Sequence, residues 1–594
     1  MAQIKREDVD KKYKWAVEDI YANDKLWEED LNKLSQIAAN PCKYKGELSK
    51  DSNNIYEALK ESDETDYLLT RVYVYAFMKY YEDTQNSKYQ EMSGKAQSVA
   101  IKMSEKYAFL EPEILSLDEE SLREDIKKEP LSFYGPIIED MLLTKEHSLS
   151  EKEEMLLAKA ANISSVASET FSKFNNADIK FEKALDEKGE EHEVTNGQYG
   201  MLMESGDRTL RKNAFNSLYA SYKANINTIS SLFYGNVKQA VFFADVRKYN
   251  SSLERYLSAS FIPTSVYTNL VNTVNNNLNL MHKYVELRKK ALGVDELHFY
   301  DVYAPMVADY KWEVSYEEAK EMALKALEPL GEEYVNTVRT GYENGWVDVY
   351  ENEGKRSGAF SWGCYGTHPY IFLNYTNTLN DVFTLIHETG HAMHTYYSNK
   401  TQSFAYSGYK IFVAEVASTV NESLLMQYLL KNCKDKDQKK YLLNHYFEQF
   451  KGTLYRQTMF AEFEMKAHEM VENGEVLSAK NLNDLYLGLN KKYFGDEMVM
   501  DDNIAYEWAR IPHFYTPFYV YQYATGYSAA IAISLKILEG DNEVIEGYKN
   551  FLKSGSSLHP IETLKLAKVD MTKPEVVEDA LKVFKDVLNQ WENL

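Results

Sequence analysis

The chain has 594 residues, 44% of them apolar, with only 12 prolines and 26 glycines; this supplies a large core and long helices and excludes global disorder. A net charge of −24 sets it against nucleic acid and anionic membrane as partners. Three widely spaced cysteines, Cys42, Cys364 and Cys433, form no disulfide framework and fit a reducing compartment.

The N-terminus, MAQIKREDVDKKYKW, is charged and lacks an apolar signal region, and no run approaches a membrane span. A cytoplasmic chain is the expectation. Residues 50–110 read as helices, with Leu59, Leu68, Val72 and Tyr75 recurring near the helical period. Leu149 to Ser172 is a further helix, opened by Ser150 and Glu153 in the spacing of a capping box. The alternating stretch 177–195, with DEKG at its middle, predicts a β-hairpin. From Asp207, a candidate N-cap, a helical pattern runs to about Tyr249, and others cover 264–292, 316–329, 439–473, 480–493 and 575–593. The reading is a mainly α protein with a few short strands and soft boundaries near 112 and 200. It divides the chain into an N-terminal helical region (1–112), a helical region with the hairpin (113–200) and a catalytic region (201–594).

The chemistry concentrates in 361–400. Asn380 or Asp381 can cap a helix running through DVFTLIHETGHAMHTYY. His387 and His391, four apart, stack on one face of it, where both imidazoles can reach one Zn²⁺. Glu388 follows the first histidine and can act as general base; the motif is HExxH. A catalytic zinc takes a third protein ligand. Glu415, 24 residues past His391 among Phe412, Val413 and Val416, is the candidate, because a lone carboxylate in an apolar helix is costly unless paired. Glu422, two turns on, suits an acceptor behind a ligand, or a solvated residue. His394 competes, but it lies about 10 Å along the axis from His387, too far for three histidines of a straight helix to close one site. Downstream, RIPHFYTPFYVYQYATGYSAA (510–530) mixes His513 with Tyr515, Tyr519, Tyr521, Tyr523 and Tyr527. An aromatic core stripe would explain the rings; the admixed His, Pro and Gly point instead to donors for an oxyanion.

These motifs resemble the oligoendopeptidase F group of the thimet oligopeptidase family of zinc metallopeptidases. The resemblance runs through LHFYDVYAP (297–305), GTHPYIFLNY (366–375), DVFTLIHETGHAMH (381–394), FVAEVASTVNE (412–422), RQTMFAEFE (456–464), IPHFYTPFYVYQYATG (511–526) and LKSGSSLHPIETLKLAKVDM (552–571). It implies a helical ellipsoid with a deep substrate channel, a zincin-type catalytic core with short strands beside the zinc-site helices, and 113–200 covering the channel. It also implies one zinc per chain on His387, His391 and Glu415, with Glu388 as base. The family's oxyanion cluster falls on 513–527, where His513 and one tyrosine, Tyr523 by preference, take the role. GTHPYIFLNY looks like the edge strand that pairs with substrate. The expected activity is cleavage of internal bonds in short peptides. An exopeptidase on a similar scaffold would need groups that grip a peptide terminus, and no such groups are legible. A non-catalytic metal-binding helical protein would have no use for Glu388. No residue in the sequence sets the oligomeric state.

Overall fold

The computed structural model describes residues 4–307, 310 and 312–594, so the first three residues of the charged N-terminus lie outside the described part. The protein is mainly α with a few short strands. Its packing divides the chain into two compact units. One comprises 1–148, 312–425 and 536–567; the other comprises 149–311, 426–535 and 568–594. Each unit draws on more than one of the three regions expected in chain order. Among the described residues no helix is long and apolar enough to cross a membrane.

In the first unit, helices Ser52–Glu82 and Ser87–Tyr107 pack on each other. Asp51 and Asn86 start them by accepting backbone N–H groups of the first turn. Ile55, Ala58, Leu59, Val72, Tyr75 and Ala76 bury one stripe at helical spacing. That stripe belongs to a core that continues into a small sheet, where the Trp15 ring lies 5.1 Å from Phe372. The sheet has β1 (Val347–Asp348), β2 (Phe360–Trp362) and β3 (Tyr370–Phe372) in the order β1-β3-β2, with β1 parallel and β2 antiparallel to β3. The expected edge strand in GTHPYIFLNY is therefore the central one, and the edges are Val347–Asp348 and Phe360–Trp362. The burial explains the difference. Tyr370, Ile371 and Phe372 are buried on both faces, as a central strand requires, whereas β2 is half-buried throughout.

In the second unit the expected hairpin is present but short, with Ala184 opposite His192 and Leu185 opposite Glu191. Asp207 caps the helix Arg208–Ala224 through the N–H groups of Thr209 and Leu210. The run expected over 264–292 is two helices, Thr264–Asn276 and Leu278–Leu292. The run expected over 439–473 contains a π-helical turn, Phe450–Tyr455, between Lys436–Gln449 and Arg456–Glu472. The turn holds Lys451 inside, bonded to the Val302 carbonyl at 3.0 Å and to Glu448. Such widened turns set a side chain where a regular helix would not.

Candidate metal centre and catalytic residues

The site is built on two successive helices, α1 (Leu379–Thr401) and α2 (Ile411–Lys431). The cap of α1 is Thr378, two residues before Asn380. Asp381 instead occupies the third position of a capping box, accepting the Thr378 N–H at 2.9 Å while Thr378 Oγ1 accepts the Asp381 N–H at 3.2 Å. Two turns on come His387 and His391, with ring centroids 4.8 Å apart. Gly390 explains how α2 approaches them. A Cβ there would lie 2.5 Å from the Ala417 carbonyl oxygen and 2.5 Å from Ser418 Cα, so only glycine permits this crossing.

The crossing places Glu415 Oε2 at 3.4 Å from His387 Nε2 and 3.4 Å from His391 Nε2. The ligand atoms of His387, His391 and Glu415 lie within 4.8 Å of one another. A tetrahedral zinc with bonds of about 2.0–2.1 Å keeps its ligand atoms roughly 3.4 Å apart, and two imidazoles with one carboxylate are a donor set zinc accepts. The residues fit the ion. Glu422 Oε1 meets His387 Nδ1 at 2.5 Å, which leaves Nε2 as the ligand nitrogen. Ser418 Oγ donates to Glu415 Oε2 at 3.1 Å.

Burial works against the charged form of His387, but the bond to Glu422 and the charges of Glu422, Glu388 and Glu415 outweigh it and lift the ring to about 9. Burial likewise raises Glu415, and His391, His387 and Ser418 reverse this to hold it near 2. Glu388, 7% exposed, is raised, by burial first and then by Glu415 and Glu422 against the two histidines. Its Oε2 is buried and receives no hydrogen bond among the described residues. A buried carboxylate oxygen beside three metal-type ligands is placed to receive a proton from water.

His394 stands apart from this group. It is fully buried, its ring stacked on Tyr409 at 3.7 Å and 8°, and burial, with His391, pushes it down to about 3. It serves as a neutral packing group.

In the second unit, His513, Tyr519 and Tyr523 form one ring cluster, with centroids 6.2 Å (His513–Tyr519), 6.1 Å (His513–Tyr523) and 5.5 Å (Tyr519–Tyr523) apart. Tyr521 packs on Tyr267 and Tyr527 on Phe450, both in the core, and the half-buried Tyr515 stacks on Phe171. Sequence reasoning missed Glu464, on α3 (Arg456–Glu472). It is fully buried and accepts the Phe518 N–H at 2.7 Å, pinning a residue with φ of 55° between His513 and Tyr519. Its signal was the one that marked Glu415, a carboxylate inside an apolar helical stretch.

A helix-borne HExxH with a glutamate from the next helix is a candidate metal centre of the kind peptidases use. The family model described as peptidase family M3 matches residues 201–583, and one described as oligopeptidase F matches 113–181. The chain is 48% identical to oligopeptidase PepF of Bacillus subtilis over 594 residues, covering 100% of this chain and 88% of that one. It is 42% identical to group B oligopeptidase PepB of Streptococcus agalactiae, covering 99% and 98%. Oligoendopeptidase-F from Enterococcus faecium superposes with a TM-score of 0.74 at 39% identity, over 96% of this chain and 99% of that one. A solved structure from Chlamydophila abortus reaches 0.94 at 35% identity, over 99% of each chain. The chain belongs to peptidase family M3 and is a peptidase of the oligoendopeptidase F type.

Proposed function

We propose that this chain is a zinc-dependent endopeptidase that cuts internal bonds of short peptides, with Glu388 as general base. The observation that carries the reading is the buried, unbonded Glu388 Oε2 beside the grouped ligand atoms of His387, His391 and Glu415. One zinc ion held by those three residues would supply Lewis acidity, acidifying water and polarising a carbonyl. Glu388 takes the proton of the attacking water and returns it to the leaving amine. Glu422 keeps His387 in one tautomer. His513 and Tyr523 are the proposed donors to the oxyanion, on the strength of their ring cluster and donor chemistry.

An extended peptide can add to β2, whose outer edge has no strand partner among the described residues. Gly363, just past β2, would carry a Cβ only 2.2 Å from Thr395 Cγ2, so this strand end lies directly against α1. The preference for short peptides rests on the names of the relatives, which are oligopeptidases and oligoendopeptidases. The three free cysteines accord with a reducing, cytoplasmic setting.

The test combines metal analysis with a quenched peptide blocked at both ends. The expected result is one zinc per chain, loss of cleavage in chelator, recovery with added Zn²⁺, and cutting of the blocked peptide. Full activity without metal would overturn the zinc chemistry, and an uncut blocked peptide would favour an exopeptidase.

A further inference from the structure

The second unit contains a cavity of about 30 Å³ that the peptidase reading does not use. Lys451, Arg456 and Arg510 line it, and Glu507 is its only acidic lining residue. That carboxylate is already heavily bonded. Its Oε2 accepts from Tyr486 at 2.6 Å, and its Oε1 from Arg456 at 2.9 Å and Tyr219 at 3.4 Å. Behind the wall, Glu448 is shared in the same way by Arg288, Lys451 and Tyr284. Four cations thus face two carboxylates. Glu204, the other acid within reach of Lys451, is exposed.

The guanidinium donors are under-used. Arg456 makes one hydrogen bond, to Glu507, and otherwise lies over the Phe460 ring at 4.4 Å. Arg510 comes no closer to Glu507 than 3.9 Å, beyond hydrogen-bond length, and lies over the Tyr199 ring at 4.8 Å. Both side chains are 20% exposed and Lys451 is 3% exposed, so water screens this excess poorly. Burial, joined by Arg288 and Arg456, pulls Lys451 down to about 8 in spite of Glu448. An excess of poorly solvated positive charge is unfavourable unless something of opposite sign joins it.

We infer that the cavity binds one small monovalent anion of the halide class, held between Arg456 and Arg510. Size and lining select the class. One water needs about 10–15 Å³ of such space, so the cavity has room for a monatomic ion stripped of its hydration shell and little more. Phe215, Phe299, Met459 and Phe494 give the wall an apolar side, beside several tyrosines and Asn490, and that side favours a weakly hydrated ion. The anion would supply the acceptor that Arg510 lacks and steady the π-helical turn carrying Lys451.

The experiment uses the full chain. Crystals soaked in sodium bromide are measured at the bromine absorption edge, and thermal unfolding is followed as chloride replaces gluconate at constant ionic strength. We expect an anomalous peak within the cavity and a saturable rise of the unfolding midpoint. In Arg510→Gln the chloride concentration for half the rise should increase by about tenfold or more, the worth of one charge-assisted hydrogen bond. Should that variant fail to fold, the bromide map of the unaltered chain decides. A cavity without an anomalous peak, or unfolding identical in the two salts, would overturn the inference.

Discussion

Glu422 accepts the Nδ1–H of His387, and the opposite ring nitrogen of His387 faces Glu415 across 3.4 Å. One carboxylate thus sets the tautomer while the other lies beside the proposed ligand nitrogen. Glu422→Gln should keep the fold and weaken zinc binding by roughly 10–100-fold, the usual effect of losing such a supporting acceptor. Competition against a chromophoric chelator measures it. Unaltered affinity would show that the ring is oriented by something else.

The site residues divide by role. Glu388→Gln should bind zinc normally while turnover falls on the order of 10²–10⁴-fold, because the amide cannot take the proton. Glu415→Ala should lose metal. His394→Ala should keep metal yet be less stable by about 2–5 kcal/mol, since it empties a fully packed position. Metal content and unfolding on the three variants separate the roles; metal loss in His394→Ala alone would reverse the ligand assignment.

In an unobstructed helix, Gly→Ala gains about 1 kcal/mol. At Gly390 the sign should invert. The added Cβ would press on backbone atoms of α2, which cannot rotate away, so we expect a loss of about 1–3 kcal/mol or more together with weaker zinc binding. Denaturant titration of Gly390→Ala reads this directly, and a stabilised variant would mean that the helices separate freely.

Glu464 supplies a pH signature. Burial lifts its carboxyl to about 8, partly opposed by the Phe518 N–H, against 4.5 in an unfolded chain. Between those values the folded protein binds the extra proton, so stability falls as pH rises through the window and levels off above it. Glu464→Gln keeps an acceptor for Phe518 but does not titrate. The unaltered chain should therefore lose stability relative to the variant from pH 4.5 to 8. His468, pushed to about 3 by burial, is present in both chains and drops out of the difference. A pH-independent difference would mean that Glu464 is ionised in the folded state.

Much of this site is legible in the sequence. The i, i+4 spacing of His387 and His391 states a shared helical face, and the isolated carboxylate of Glu415 states a need for a partner. Other features depend on information outside the local pattern. Thr378 displaced Asn380 as the cap because Asp381 bonds backward to it, a choice between adjacent capping residues that periodicity does not decide. GTHPYIFLNY reads as a strand, but its central place depends on Phe360–Trp362 and Val347–Asp348 pairing on either side. The uninterrupted pattern over 439–473 hides the π-helical turn, since one extra residue barely alters the apolar stripe. Among five tyrosines of nearly equal local context, only tertiary packing picks Tyr519 and Tyr523 as companions of His513.

His387, His391 and Glu415 all fall between Leu379 and Leu425, wholly inside the first unit. A ligand that binds only the folded form raises the free energy of whichever cooperative segment must open to release it. Zinc occupancy should therefore be recorded unevenly along the chain. Amides of α1 and the first turns of α2 should exchange with solvent deuterium more slowly once metal is added, while those of α3 keep their rates. Demetallation then acts as a regional melting of the catalytic helices, and the exchange pattern, read residue by residue, measures how far that melting reaches.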